Sequence, residues 1–120
     1  MKYLLMIYMN DANWEGLSEA ERNDVFRGHD EFITAITSSG EMISTEALAN
    51  PTTSATVRVR DGDTVVTDGP YLETKEYLAG YYLVDCESRE RAIELAAMIP
   101  DARFNAMEVR PIMDAAGLEM

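Results

Sequence analysis

The sequence predicts a small α+β domain in which two helices cover one face of a β-sheet. Apolar or alternating runs typical of strands recur along the chain, and two amphipathic stretches with helical spacing lie between them. Their order is β-α-β, a hairpin, then β-α-β. The length of 120 residues suits one domain, which we assign to residues 1–113, with residues 114–120 as a C-terminal tail.

The chain begins with a strand, a loop and a helix cap. Residues 2–9 (KYLLMIYM) are apolar almost throughout, which indicates a central strand covered on both faces. We predict a loop over residues 10–17, with Trp14 as its large apolar group. Ser18 and Glu21 then form an S-x-x-E capping box, in which each side chain satisfies a backbone N–H of the first helical turn.

The first helix is predicted from its apolar stripe. Gly40 is suited to the left-handed residue that ends such a helix, and residues 41–48 are a predicted strand. The stripe that follows helical spacing consists of Val25, Phe26, Phe32, Ile33 and Ile36.

A β-hairpin is predicted in the middle of the chain. Residues 55–60 (ATVRVR) and 64–67 (TVVT) alternate in polarity, and Asp-Gly-Asp at 61–63 is a tight-turn signal. The alternation places Arg58 and Arg60 on one face of the hairpin, opposite the valines.

The last part of the chain repeats the strand–helix–strand pattern. Residues 78–85 (LAGYYLVD) are a predicted buried strand, and Ser88 caps a helix that Pro100 ends. Residues 107–113 are the last predicted strand. Without the hairpin, the order is the split β-α-β-β-α-β arrangement, so we predict a ferredoxin-like fold.

The predicted sheet has one face that the helices leave open. Its strands carry apolar residues on that face too, and such a surface must be buried. A second copy of the same sheet is the economical cover. We therefore predict a two-fold homodimer, a dimeric α+β barrel.

Composition excludes some partners. The formal net charge is −12, from 22 acidic and 10 basic residues. This argues against nucleic acid and anionic membrane surfaces, which both attract basic proteins. The acids are spread along the chain and indicate a solvated surface, with a basic protein partner as the alternative.

Cysteine use and the start of the chain indicate a cytoplasmic location. Cys86 is the single cysteine, so an intrachain disulfide is excluded, and it lies in a strand-like apolar context that indicates a packed thiol. The apolar start lacks the basic region and cleavage site of a signal peptide. No run approaches the roughly 20 apolar residues of a membrane helix.

The segment Asp68-Gly69-Pro70-Tyr71 is the most distinctive in the sequence. Pro70 fixes φ and Gly69 permits unusual backbone angles, so the chain turns abruptly after the hairpin. One interpretation is a rigid turn only. The other is that the turn directs Asp68, together with Glu73 and Lys75, into a cavity.

His29 is the single histidine of the chain. It lies within the apolar stripe of the first helix, so its ring faces the sheet and must find a hydrogen-bond partner. A satisfied core histidine and a general acid–base group both fit this position. A carboxylate paired with His29 comes from a distant segment, and Asp68 and Glu73 are the candidates.

Other chemistry has less support. One histidine and one cysteine do not make a His/Cys metal cluster, and neither a Gly-rich phosphate loop nor a G-x-S-x-G elbow is present. We predict no metal and no cofactor. Tyr82 lies in the predicted strand at 78–85, where its ring either packs in the core or lines a pocket. Arg110 either binds an anionic ligand or pairs with surface acids.

Several segments together resemble one family. The run VRVRDGDTVVTDGPYLETKEYLAGYYLVD at 57–85, with MKYLLMIY, EALANPTTSATVRVR and MEVRPIM, resembles the YCII-related proteins, in the branch named for its DGPF motif. Tyr71 stands where the motif has Phe. The resemblance implies a dimeric α+β barrel, but no settled reaction. It also implies a His/Asp active site, which maps onto His29 and onto Asp68.

Three functions follow from these observations. The first is a small-molecule-binding homodimer whose pocket contains His29, Asp68, Tyr71, Glu73 and Lys75. The second is an enzyme in which Asp68 orients His29 for acid–base chemistry. The third is a regulatory partner of an extracytoplasmic-function sigma factor, because relatives in the branch are encoded beside such factors.

Overall fold

A computed structural model of the chain describes residues 1–114 and residue 117. The strands are β1 (Lys2–Met9), β2 (Met42–Ala47), β3 (Ala55–Arg60), β4 (Asp63–Asp68), β5 (Tyr77–Asp85) and β6 (Met107–Pro111). The helices are α1 (Asp11–Glu15), α2 (Glu19–Ser38) and α3 (Arg89–Met98), with 3₁₀ turns at Pro51–Thr53 and Pro100–Arg103. The predicted tail at 114–120 lies mostly outside the described residues.

The main sheet has four antiparallel strands in the order β2-β5-β1-β6. With α2 after β1 and α3 after β5, this is the predicted ferredoxin-like α+β fold. The two strands of the hairpin, β3 and β4, form a separate sheet. β1 is the predicted central strand, between β5 and β6, and its residues Tyr3, Leu5 and Ile7 lie in the core on one face.

The long helix α2 begins as predicted. The Ser18 hydroxyl accepts from the Glu21 N–H, and the Glu21 carboxylate accepts from the Ser18 N–H. Gly40 follows the helix with φ of 79°. Val25, Phe32 and Ile36 are buried, but Phe26 is 58% exposed and stacks edge-on against Trp14 instead.

One predicted loop is partly helical. Residues 10–17 contain the short helix α1, because the Asn10 side chain accepts from the Asn13 N–H and caps its first turn. This places the Trp14 ring beside α2.

The hydrophobic core lies between one sheet face and helices α2 and α3. The largest fully buried side chains are Leu5, Ile36, Val84, Leu95 and Ile99. Cys86 is free and buried, as predicted for a packed thiol, and burial raises the pKa of that thiol.

The hairpin projects from this core. Asp61 and Gly62 both have positive φ, 51° and 81°, which the tight turn requires. Val57, Val59 and Val66 share one hairpin face and are each about 60% exposed. The radius of gyration is 16.6 Å, whereas a compact chain of this length has about 14 Å.

The sheet face opposite the helices carries apolar side chains from its two central strands. Register pairs Leu4 with Leu83, Met6 with Tyr81 and Tyr8 with Leu78 on that face. The shortest dimension is 18 Å, the thickness of two layers, so the helices lie on one side only. Among the described helices, none is long and apolar enough to cross a membrane.

Candidate functional site

A cavity of about 580 Å³ opens between α2 and the edge of the sheet formed by β2 and β5. Its apolar walls include Ile7, Met9, Trp14, Val25, Phe26 and Ile33. Its polar groups include His29, Asp30, Thr45, Glu46, Tyr77, Tyr82 and Asp101. An apolar cavity with a few converging polar groups is the usual form of a small-molecule site.

His29 has a partner on each ring nitrogen. Its Nε2 lies 2.5 Å from Asp101 Oδ1, and its Nδ1 lies 2.7 Å from the Tyr82 hydroxyl. The Asp101 side chain is 9% exposed and the His29 side chain is 22% exposed. The imidazole therefore reaches the cavity from a largely buried pair.

Three separate elements supply these groups. His29 lies on the sheet-facing side of α2, Tyr82 is in β5, and Asp101 is in the 3₁₀ turn after α3. Pro100 cannot continue a helix, so the chain turns there and carries Asp101 toward α2.

Gly28 allows α2 to approach that turn closely. A Cβ at residue 28 would lie 2.9 Å from Cγ of Pro100. The two close neighbours, Gly28 and Pro100, directly precede His29 and Asp101 in sequence. This packing therefore sets the separation of the imidazole from the carboxylate.

The partners define the protonation of the ring. The carboxylate of Asp101 only accepts hydrogen bonds, so the Nε2 of His29 carries the proton and donates it. In the neutral ring, Nδ1 then accepts from the Tyr82 O–H. Burial, then the negative charges of Asp101 and Asp30, raise the pKa of Tyr82 to about 12, while a hydrogen bond with Thr45 opposes them. Tyr82 thus keeps its proton at neutral pH.

The predicted pairing of His29 with Asp68 is wrong, because the carboxylate bound to the ring is Asp101. Asp68 ends β4, where it is exposed and pairs with Ala55. The turn after it has the expected strain, since Gly69 has φ of 101°. Pro70, directly after Gly69, lines a different cavity from the one that His29 lines.

The other predicted residues are dispersed. Glu73 and Lys75 line a second cavity of about 510 Å³, which meets the first at Asn50 and Tyr77. Tyr71 is 71% exposed, with the Arg58 guanidinium over its ring.

Arg110 lies opposite Leu4 on the sheet face away from the helices and is hydrogen-bonded to Glu108. Of the seven predicted site residues, only His29 and Tyr82 meet at the first cavity. The predicted roles of these two in catalysis and ligand binding stay predictions.

Sequence reasoning missed Asp101 and Thr45. The only sequence signal for Asp101 was its position directly after Pro100, the proline that ends a helix. The chain has 22 acidic residues, so this position alone did not distinguish Asp101 from the others. Only the packing of that turn on α2 distinguishes it. Thr45 stands opposite Tyr82 in the register of β2 and β5.

This arrangement can move a proton but does not form a metal centre. Among residues 1–114 and 117, no three His, Cys, Asp or Glu side chains come together as ligands for an ion. The order carboxylate, imidazole, hydroxyl is that of a catalytic triad, in which the acid holds the ring and the ring accepts a proton from the hydroxyl.

Comparison with known proteins places the chain in a family. The model of the YCII-related domain matches residues 1–116. An uncharacterized protein of Rhizobium meliloti (strain 1021) is 32% identical over 114 residues, which cover 93% of this chain and 92% of that protein. The narrower DGPF-motif branch stays a prediction. The chain belongs to the YCII-related family.

Proposed function

We propose that this protein binds a small, largely apolar molecule in the first cavity and acts on it as a general base through Asp101, His29 and Tyr82. The observation that carries the proposal is the 2.5 Å contact of His29 Nε2 with a carboxylate that is 9% exposed, at the wall of a 580 Å³ cavity. A purely structural histidine would also need a partner on each ring nitrogen, but it would not need a cavity beside the pair.

The proton step follows from the hydrogen bonds. A substrate X–H gives its proton to the Tyr82 oxygen, and the electron pair of the broken bond stays on X. At the same time the phenolic proton of Tyr82 moves to Nδ1 of His29. The ring becomes an imidazolium, which the Asp101 carboxylate stabilises, and the reverse transfers return a proton to the product.

A homodimer is part of this proposal. The two central strands carry the apolar residues Leu4, Met6, Tyr8, Tyr81 and Leu83 on the face away from the helices, and the molecule is two layers thick. Stacking two such faces would bury both. The helix-side cavity lies on the opposite side of the sheet, so dimer formation leaves it open to solvent.

Binding is tested with a neutral fragment library and NMR spectra of the protein. We expect fragments to perturb residues around the cavity. Ala47→Trp should abolish these perturbations, because Ala47 lines the cavity, whereas Ala97→Trp on the exposed side of α3 should not. Equal binding to both variants would place the ligand elsewhere.

The acid–base role is tested by hydrogen–deuterium exchange of bound carbonyl compounds in D₂O, followed by mass spectrometry. We expect the protein to speed exchange at the carbon next to the carbonyl. His29→Gln should slow it by a factor of about 10² to 10⁴. Glu90→Gln, an exposed acid on α3, is the control. Exchange that survives in His29→Gln would contradict the role of His29.

A further inference from the structure

The two cavities of this protein adjoin each other beside α1. Asn50 and Tyr77 line both the first cavity, of about 580 Å³, and the second, of about 510 Å³. The short helix α1 contributes Trp14 to the first cavity and Asp11 and Ala12 to the second. Together the two volumes reach the upper end of the range for small-molecule sites, about 300 to 1,000 Å³. One ligand can therefore extend from one cavity into the other.

The residues shared by the two cavities are held by one carboxylate. The Tyr77 hydroxyl donates to Asp11 Oδ1 at 2.8 Å, and Asn50 Nδ2 donates to the same oxygen at 3.3 Å. Asp11 and Asn50 are both exposed, so the boundary between the cavities lies at the surface of the protein. A ligand can lie across this boundary without displacing the core.

The two cavities differ in their chemistry. The first has an apolar wall that includes Trp14 and Phe26, whose rings meet edge to face at 5.7 Å between centroids. The lining of the second includes the polar residues Thr52, Thr74 and Lys75. A ligand that extends through both therefore needs an apolar part and a polar part.

The hydroxyl protons at the second cavity are already used within the protein. Thr52 donates its proton to a side-chain amide oxygen, Thr74 to a backbone carbonyl, and Tyr77 to a carboxylate. A hydroxyl oxygen that donates its proton can still accept a hydrogen bond. These three side chains therefore offer acceptors to a ligand rather than donors.

The second cavity also has charged groups of both signs. Glu73 and Lys75 line it, and neither forms an ion pair among the described residues. A ligand hydroxyl both donates and accepts hydrogen bonds, so it suits the acceptors of this wall and the Lys75 ammonium group alike. A ligand carboxylate would meet the like charge of Glu73, and a ligand ammonium group would meet that of Lys75.

We propose that the two cavities form one site for a molecule in which an apolar ring is joined to a polyhydroxylated ring of the sugar type. The apolar ring lies against Trp14 and Phe26 in the first cavity. The hydroxyl groups lie against Thr52, Thr74 and Lys75 in the second. This inference rests on the proposed binding function and names the class of its ligand.

Three probes that share a phenyl ring test the ligand class: phenyl β-D-glucopyranoside, 2-phenoxytetrahydropyran and anisole. The second probe keeps both rings but lacks the sugar hydroxyls, and the third lacks the second ring. Each is titrated into isotopically labelled protein, and affinities are read from NMR shifts of residues that line each cavity. We expect the glucoside to bind about tenfold more tightly than the other two and to shift residues of both cavities, because its hydroxyls add hydrogen bonds.

Two variants test whether the second cavity takes part. Ala12→Trp fills the second cavity, since Ala12 lines it but not the first, and Thr52→Val removes a hydroxyl from its wall. The affinity of the glucoside should fall about tenfold in Ala12→Trp and about threefold to tenfold in Thr52→Val, whereas that of anisole should not change. The matched controls Ala97→Trp and Thr67→Val, at exposed positions outside both cavities, should bind the glucoside as the wild type does.

The outcomes distinguish this inference from the proposed function. If the glucoside binds no more tightly than 2-phenoxytetrahydropyran, the polyhydroxylated class is wrong and the binding function stands. If Ala12→Trp or Thr52→Val weakens the binding of the glucoside no more than its matched control does, the second cavity does not hold the hydroxyl groups and the inference fails. If neither these probes nor the fragment library perturbs residues of the first cavity, both are overturned.

Discussion

Gly28 lies against the ring of Pro100 so closely that a Cβ on residue 28 would come within 2.9 Å of Cγ of that ring. The residues that follow each of them, His29 and Asp101, are joined by a hydrogen bond of 2.5 Å. Because Gly28 in α2 has no side chain, α2 packs closely on the rigid ring of Pro100 after α3. This contact brings together the imidazole and the carboxylate, which are 72 residues apart in sequence. The geometry of the pair depends on this one close contact.

Gly28→Ala should destabilise the protein by about 1 kcal/mol. The clash with a rigid ring costs about 1 to 3 kcal/mol, and the gain in helix propensity recovers up to about 1 kcal/mol. The measurement is urea unfolding, with the His29 ring signals as a local readout. Asn23→Ala, at an exposed position of α2, should be neutral or slightly stabilising. If both variants behave alike, α2 does not depend on the close contact.

The His29 ring should be found with its proton on Nε2. His29 is the single histidine of the chain, so its nitrogen signals need no further assignment. In Asp101→Asn the amide can donate to Nε2, and the Nδ1–H tautomer should gain population. Asp30→Asn, which changes the neighbouring exposed acid, should leave the tautomer unchanged. A wild-type ring protonated at Nδ1 would refute the proposed direction of proton transfer.

Tyr82 should make the protein sensitive to high pH. Its pKa is raised to about 12, mainly by burial, so the folded state holds this proton more tightly than the unfolded chain, whose tyrosine pKa is about 10. The stability from this group is complete below about pH 10 and is lost as pH rises toward about 12. Between about pH 9 and about pH 11, the free energy of unfolding in urea should fall by about 1 kcal/mol more for the wild type than for Tyr82→Phe.

The control for Tyr82 is Tyr71→Phe, which removes the same hydroxyl from a residue that is 71% exposed. Its free energy of unfolding should depend on pH in the same way as that of the wild type. Tyr77, whose pKa is also raised to about 12 by burial and by Asp11, should behave as Tyr82 does. Unfolding free energies that fall in parallel for wild type and Tyr82→Phe would show that Tyr82 titrates normally.

Glu41 should make a pH-dependent contribution at the acid end. Two hydrogen bonds from Arg91, of 2.9 and 3.0 Å, lower the pKa of this carboxyl and tie α3 to the start of β2. The contribution is complete above the unfolded-state pKa of about 4.3 and is lost as pH falls through the lower folded-state value. At neutral pH, Glu41→Gln should cost about 1 to 3 kcal/mol in urea unfolding.

Glu94→Gln provides the comparison for Glu41, because Glu94 also contacts Arg91 but its side chain is 65% exposed. An exposed ion pair contributes about 0 to 1 kcal/mol. If both variants lower the free energy of unfolding by the same amount, the two hydrogen bonds of Glu41 contribute no more than an ordinary surface ion pair.

The protein should have a mass of twice 13.4 kDa in light scattering after size exclusion. Leu83→Lys should yield a folded monomer, because it puts a charge on the apolar sheet face that we propose is shared. Leu72→Lys, at a position that is 68% exposed outside that face, should remain a dimer. A wild-type monomer would leave the open face unexplained by self-association.

Much of the fold was predictable because it depends on local signals. The capping box of Ser18 and Glu21, the helix stop at Pro100 and the turn at Asp61 and Gly62 each act within a few residues of sequence. The order of elements predicted the ferredoxin-like fold, which the observed strand order confirms. The short helix α1 was missed because its cap, Asn10, lies directly after an apolar strand.

The candidate site was only half predictable. His29 stood out in the sequence because a lone polar ring in an apolar stripe requires a partner, and that requirement is local. The partner of His29 could not be identified from the sequence, because many acidic residues are spread along the chain. A residue that ends a helix also does not indicate which part of the structure the following turn will contact. The motif at Asp68 drew attention for its backbone strain, but that strain shapes a surface turn.

The sequence by itself determined the strands and the two long helices, and it showed that His29 needs a hydrogen-bond partner, because hydrophobic spacing and capping are short-range effects. Only the tertiary structure decided that the partner is Asp101, that Tyr82 occupies the other nitrogen, and that a cavity lies beside them. Those facts depend on how closely α2 packs against the turn at Pro100. That distance is set by the shape of surfaces far apart in the chain.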